Sequence, residues 1–537
     1  LNKPAQLDQT IIEQRLAQTT FADENAARMC IKRISAHEAV KPFAGTLLPV
    51  LLNALIEAAS PDRALVSFER FFDAHDEQDE LFRKLANEPR LIEMLVTLFA
   101  GSEFLGQILL RHPEYFEHIR DRKRLAQPKN QHQFYGELLK ILEDAGSYDE
   151  SLDFIRRYQR LQLLRIGASD LFDLVDFPTV IEQLSLLANG IIQTCLDVSA
   201  KRLEMSWEGF AVFALGKLGG RELNYSSDID LVFISEKKDQ RYIRLGQSLI
   251  EALQKATPEG FLYRVDMRLR PWGRASNLVP TLDEYLSYLD KHARNWEKQA
   301  LSKSRFVAGD EKLGIKFRQE YKNSVFSIPA EELQAEIQRM KGEIEAKLLK
   351  AGQEWGEVKG GKGSIRDIEF ITQYLQLTNG AEHPEIRSRN TIDGLARMAA
   401  SGILSLRDYR VLSDSYVFLR TVEHHLQIMH NRQMHTLPAD KRELAYLAKR
   451  LGFTGADAGQ NFVKRYEEHR AAVRTAYLRT FAPGSPELES EPPLPDDEPA
   501  AVPMDAIVLS KEQKELQKRM AERLNDDNLI ELEVKPL

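Results

Sequence analysis

Asp228 and Asp230 stand two residues apart in DIDLVFI (228–234), whose remaining residues, Leu231, Val232, Phe233 and Ile234, are apolar. Such a short apolar run reads as a buried β-strand. Side chains alternate across a strand, so both carboxylates project to one face. Gly216 and the loop KLGGRELNYSS precede them, and Lys217, Gly219, Gly220, Ser226 and Ser227 lie in that loop. Backbone N–H groups of such small residues can approach a phosphate closely. A third acid, Asp266, sits in FLYRVDMRLRP (261–271). Tyr263, Val265, Met267 and Leu269 there alternate with Arg264, Asp266, Arg268 and Arg270, the pattern of a half-buried strand. Three carboxylates converging from two strands suit one or two Mg²⁺ ions, which favour oxygen donors and bridge substrate phosphates. Ions so placed stabilise the attacking and leaving oxygens of a displacement at phosphorus.

An isolated Asp-x-Asp is more often a solvated strand edge. Here the acids cap an apolar strand, where like charges held together are costly without a counter-cation. The Gly/Ser loop and the third acid point the same way, to a metal-dependent nucleotidyl transfer. Cations must help gather two anions. Arg268 and Arg270, on the face of Asp266, are the first candidates, and Lys303 and Arg305 follow. The plain alternative for the arginines is structural pairing with the acids.

The elements that must position these groups are mostly helices. Residues 1–200 show apolar residues at three- and four-residue intervals, with Pro89 and Pro113 as punctuation. FAVFALG (210–216) reads as a strand, DIDLVFI as a second, RLGQSLIEALQKAT (244–257) as an amphipathic helix and 261–271 as a further strand. Helices are expected again from about 281, through LDEYLSYLDKHARNWEKQALSKSR and beyond, with a glycine-rich break at KGGKGS (359–364). APGSPELESEPPLPDDEPAAVP reads as a linker, followed by a short charged helix. The expected organisation is a helical region over 1–200, a catalytic unit over 201–335, a helical bundle over 336–481 and the linker with its helix over 482–537. The class is α+β and mostly α.

The chain has 537 residues, 43% hydrophobic and 29% charged, with a formal net charge of −8. This suits several packed domains and argues against a protein that coats nucleic acid. Two cysteines are too few for a disulfide framework. No apolar run approaches a bilayer span and no signal pattern opens the sequence, so a cytoplasmic location is expected. LNKPAQLDQT lacks an initiator Met, which suits a trimmed chain or fragment.

GKLGGRELNYSSDIDLVF, RVDMRLRPWGRASNLV, NWEKQALSKSRFVAGD and KGSIRDIEFITQYLQL follow in order the landmarks of the glutamine synthetase adenylyltransferases, and GSEFLGQILLRHPEYFEHI resembles their helical N-terminal region. The resemblance covers roughly residues 60–480. It implies a polymerase-β-type nucleotidyltransferase α/β domain flanked by helical bundles. Full-length members carry two such units, one attaching AMP to a tyrosine of glutamine synthetase from ATP, the other removing it by phosphorolysis to give ADP. ELNYSSDIDL, SIRDIEF and HHLQIMHNRQMHTLP resemble the N-terminal, deadenylylating unit. The implied partners are glutamine synthetase, the PII signal protein, the second, adenylylating half, inorganic phosphate and ADP. The alternatives are adenylylation on the same fold and a catalytically silent docking module. Ser364 stands where the family usually has glycine.

Other features weigh less. The GK of GKLGG is not followed by Ser or Thr, so it is not a Walker loop. Ser364 with Asp367 three residues on reads as a capping box more readily than as a phosphate cradle. Glu369 and Gln373, one turn apart, could face the active site or solvent. His424, His425, His430 and His435 lack metal-motif spacing. Arg156, Arg157, Arg160 and Arg165 read as a solvated or interdomain face rather than an RNA site.

Overall fold

The structure, a computed structural model, describes residues 9–75, 78–273, 277–430 and 432–488. The expected linker and charged helix therefore fall outside the described residues from 489 onward.

Helices fill the chain from Gln9–Gln18 to Phe177–Arg202. Their starts are set by side-chain caps that satisfy otherwise orphaned N–H groups. Ser102 accepts from Leu105 N at 3.1 Å, and Ser147 accepts from Glu150 N at 3.2 Å. Asp176 accepts from Thr179 N at 3.0 Å, with a proline in the first turn of that last helix. The long pair Tyr148–Leu171 and Phe177–Arg202 forms the floor on which the sheet rests.

Four strands form one mixed sheet, β1 (Phe210–Ala214), β2 (Ile229–Ser235), β3 (Val265–Asp266) and β4 (Arg305–Gly309), in the order β3-β2-β1-β4. β1 runs antiparallel to β2 and β4, and β2 runs parallel to β3. The strand period of two divides the sheet's side chains between two cores. Phe210, Val212, Ala214, Leu231 and Phe233 join the cluster built by the N-terminal helices. Ala211, Phe213, Val232 and Ile234 join a second cluster built by later helices, from Leu282–Lys291 to Ala458–Phe481. Both faces are buried, which explains why β1 and β2 read as continuous apolar runs. Mostly helical with one small sheet, the fold is of the α+β class expected.

Three local expectations are corrected. The strand read over 261–271 pairs only at Val265–Asp266. Its alternation reflects burial in two places: Val265 and Met267 pack on the first core and Leu269 on the second. The chain turns just after β3, where Asp266 Oδ1 accepts from Arg268 N at 2.8 Å. Residues 305–309, where no strand was expected and Arg305 was read as the end of a helical stretch, form the edge strand β4. It ends at Gly309, with φ +91° and no room for a Cβ, which would lie 2.2 Å from Phe210 O. The capping box at Ser364 is not formed. Ser364 Oγ donates to Lys359 O at 2.7 Å, while Asp367 Oδ2 accepts from Gly363 N at 2.8 Å and its other oxygen faces Lys341.

Candidate active site

The parallel register of β2 with β3 sets Asp230 directly beside Asp266. Partners across a parallel ladder share a face at a strand separation of about 4.8 Å. Asp228 lies just before β2, two residues from Asp230, so all three predicted acids meet at one end of the sheet. Burial and the neighbouring Asp266 push the Asp230 carboxyl up to about 6. Gly216 packs against it: φ is +55°, and a Cβ there would sit 2.6 Å from Asp230 Oδ2. Only glycine lets the backbone come this close.

The arginines divide. Arg268 Nη2 holds Asp266 Oδ2 at 2.5 Å with its guanidinium largely in water. Arg264 Nε holds Asp228 Oδ1 at 2.5 Å, and its Nη2 donates to Ser226 O at 2.6 Å. Arg270 Nη1 donates to Met267 O at 2.8 Å, inside the turn. Arg264 was passed over in the sequence, although it shares the charged face of Arg268 and Asp266. Lys359, in the glycine-rich break, also escaped attention. It is half-buried and its positive charge reaches the Asp230 carboxylate.

Other predicted phosphate contacts are held elsewhere. Gly219 and Gly220 allow close backbone crossings, since a Cβ would lie 2.0 Å from Lys303 O and 2.9 Å from Arg389 O respectively. Lys217 Nζ donates to both oxygens of the buried Glu423 at 2.8 Å. Lys303 Nζ pairs with Glu222 Oε2 at 2.7 Å, and Arg305 Nη2 donates to Leu218 O at 2.7 Å and Asn189 Oδ1 at 3.2 Å. Ser226 is buried and Ser227 half-buried, two residues and one residue before Asp228. The structure thus brings together Asp228, Asp230, Asp266, Gly216, Ser227 and Arg268, and commits Lys303 and Arg305 to the scaffold.

As the side chains stand, no three carboxylate, histidine or cysteine groups converge tightly enough to cage a metal among the described residues. Arg264 and Arg268 occupy two of the acids instead. Such partly exposed pairs are worth only about 0–1 kcal/mol, so a divalent cation can displace them. The donor set, oxygen only and with one carboxyl raised by its neighbours, fits a hard cation such as Mg²⁺.

The glutamate-ammonia ligase adenylyltransferase family matches residues 92–320, and the GlnD PII-uridylyltransferase family matches residues 332–481. Bifunctional glutamine synthetase adenylyltransferase/adenylyl-removing enzymes are similar over most of the chain. That of Streptomyces avermitilis is 32% identical over 87% of this chain and 46% of its own length. That of Hahella chejuensis is 32% identical over 70% and 41%. The similarity over residues 92–320 is thus to the glutamine synthetase adenylyltransferase family. The chain spans about half the length of the curated relatives it matches.

The remaining motifs are structural. His424 Nε2 meets the half-buried Asp170 at 2.8 Å and His435 Nδ1 lies 3.0 Å from Glu423. His425 is half-buried, and desolvation pulls it down to about 4. Arg156 Nη2 donates to Lys255 O at 2.9 Å, Arg157 pairs with Glu259 at 2.9 Å and Arg165 Nη2 donates to Gln183 at 3.1 Å, so these arginines are taken up by neighbouring elements. Gln373 Oε1 accepts from Gln299 at 2.6 Å. Among the described residues no helix is long and apolar enough to cross a membrane.

Proposed function

We propose that the acid cluster is the centre of a Mg²⁺-dependent nucleotidyl transfer acting on glutamine synthetase, and that this chain is the deadenylylating half. The observation that carries the reading is the register of Asp230 beside Asp266, with Asp228 two residues before, at an end of the sheet where negative charge exceeds what two arginines neutralise. Asp228, Asp230 and Asp266 would hold the metal, which supplies charge neutralisation at the transferring phosphorus.

In phosphorolysis an oxygen of inorganic phosphate attacks the phosphorus of tyrosyl-AMP. The bond from phosphorus to the tyrosine oxygen breaks, the phosphate proton passes to that oxygen, and ADP leaves. Arg268, largely in water and tied to Asp266 by an exchangeable pair, can swing to the incoming phosphate. Lys359 approaches Asp230 from the second helical region and adds a cation there. Gly216 lets the backbone lie along the nucleotide's phosphorus without a side chain in the way. The choice of half rests on ELNYSSDIDL and SIRDIEF, which resemble the N-terminal unit.

The test is incubation with adenylylated glutamine synthetase and Mg²⁺, with and without inorganic phosphate, following ADP. Phosphate-dependent ADP is expected. AMP transfer from ATP onto unmodified glutamine synthetase, with no ADP in the first assay, would assign the chain to the opposite reaction named for its relatives. PII is proposed as a regulatory partner, to be checked by its effect on the same rate.

A further inference from the structure

The loop between Gly216 and Asp228 is gripped from a distance by one helix, Leu406–His430. Both oxygens of Glu423 accept from Lys217 Nζ at 2.8 Å, and Oε2 also accepts from Asn224 Nδ2 at 2.9 Å. Arg420 Nη2 donates to Glu222 O at 2.6 Å and to Asn224 Oδ1 at 3.0 Å, and its Nε lies 3.3 Å from Glu423 Oε2. Glu423 and Arg420 are fully buried. The next residue on the helix, His424, reaches the same loop through Asp170, whose Oδ2 also accepts from Tyr225 OH at 3.3 Å.

These tethers end close to the carboxylates. Lys217 follows Gly216, which touches Asp230, and Asn224 lies four residues before Asp228. A buried ionic network is weak evidence of stabilisation, because desolvation offsets most of the Coulomb gain; its better-attested use is to specify geometry. Apolar side chains could join the helix to the loop without dehydrating three charges. They could not fix both ends of the loop at hydrogen-bond precision.

We propose that Glu423 and Arg420 are positioning residues: they set the helix Leu406–His430 as the part that aligns Gly216 and Asp228 with Asp230 and Asp266. This rests on the acid cluster being the site of the transfer. A displacement of the helix would move the loop and misalign the acids, and misplacement by about 1 Å can cost 10²-fold in rate.

The test uses the full chain with Glu423→Gln, Arg420→Lys and, as a lesion of the same helix that leaves the loop's bonds alone, Leu412→Ala. Hydrogen exchange of residues 215–230, Mn²⁺ affinity by electron paramagnetic resonance, and kcat and KM for the protein substrate are measured. Glu423→Gln and Arg420→Lys should each lose about tenfold of amide protection in that loop. Mn²⁺ affinity should weaken several-fold, and kcat should fall roughly 10- to 100-fold with KM within about twofold of the parent. Leu412→Ala should lower Tm and leave loop protection and kcat at parental values. Should Glu423→Gln fail to fold, Arg420→Lys, which keeps the charge and loses the fork, decides alone. Unchanged loop protection, or a kcat loss in Leu412→Ala matching its Tm loss, overturns the proposal. A parent that binds no Mn²⁺ and transfers nothing would instead overturn the reading of the site, while exchange in the loop would still show whether the helix holds it.

Discussion

Two groups of charged side chains lie on either side of the same loop, and they are built to opposite rules. Around Glu222 and Glu423 each carboxylate is fully buried and each is matched by cations, Lys303 and Arg420 for the first, Lys217 and Arg420 for the second. Both stay ionised: against the cost of burial, neighbouring cations hold Glu222 below the usual carboxylate range and Glu423 well below it. At the sheet's end, Asp230 goes the other way, raised by burial and by a second carboxylate. The balanced group belongs to the scaffold, and the unbalanced one is ready for a cation from outside. Counting acids does not separate them; counting the partners of each acid does.

The largest effect that separates the two groups is on turnover. Asp230→Ala or Asp228→Ala should lower kcat by at least about 10²–10³-fold, while circular dichroism shows the fold intact. Asp230→Ala should leave Tm equal or higher, because it relieves a like-charge contact. Full activity in either variant would break the comparison. On the other side, Lys303→Met strands Glu222 in the interior, and breaking a buried pair in this way costs about 3–5 kcal/mol, read as a fall in Tm or in the urea midpoint. A change of less than about 1 kcal/mol would place Glu222 outside the scaffold.

A smaller effect is set by pH. Asp230 binds its proton more tightly folded than unfolded, so between about pH 4 and 6 the native state holds more protons. Without divalent cation, this carboxyl's contribution to stability should decline as pH rises through that window. Saturating Mg²⁺ should flatten the decline. Denaturation midpoints at pH 4.5, 5.5 and 6.5, with and without Mg²⁺, test this; an identical slope in both series would put the cation elsewhere. The smallest change belongs to Arg268→Ala, whose exposed pair with Asp266 should contribute under about 1 kcal/mol to stability, although its removal should raise the concentration of phosphate needed for half-maximal rate.

The difference between the groups also decides what could be read from the chain. Asp228 and Asp230 declare themselves because the strand period of two puts both on one face of an otherwise apolar run, and Asp266 because a similar alternation frames it. Glu423 gave no such sign. Its partner Lys217 is 206 residues away, and a lone Glu in an amphipathic helix looks like any solvated one. Lys303 and Arg305 are cations near a suspected phosphate site, but their burial against Glu222 and backbone carbonyls depends on packing no local pattern records. The helices were plain from their period. β4 was hidden because five residues between two helices give no period to detect, and β3 was overextended because alternation reports burial, not pairing.

The division of the sheet between two hydrophobic clusters has a further consequence for how this protein can be taken apart. Residues 210–309 enclose no interior of their own; one face completes a cluster begun before them and the other a cluster finished after them. Excised, the strands would present two apolar walls to water and should aggregate rather than fold. A graft of this sheet into another protein would have to carry both sets of helices with it, so the smallest transferable piece is close to the whole described chain.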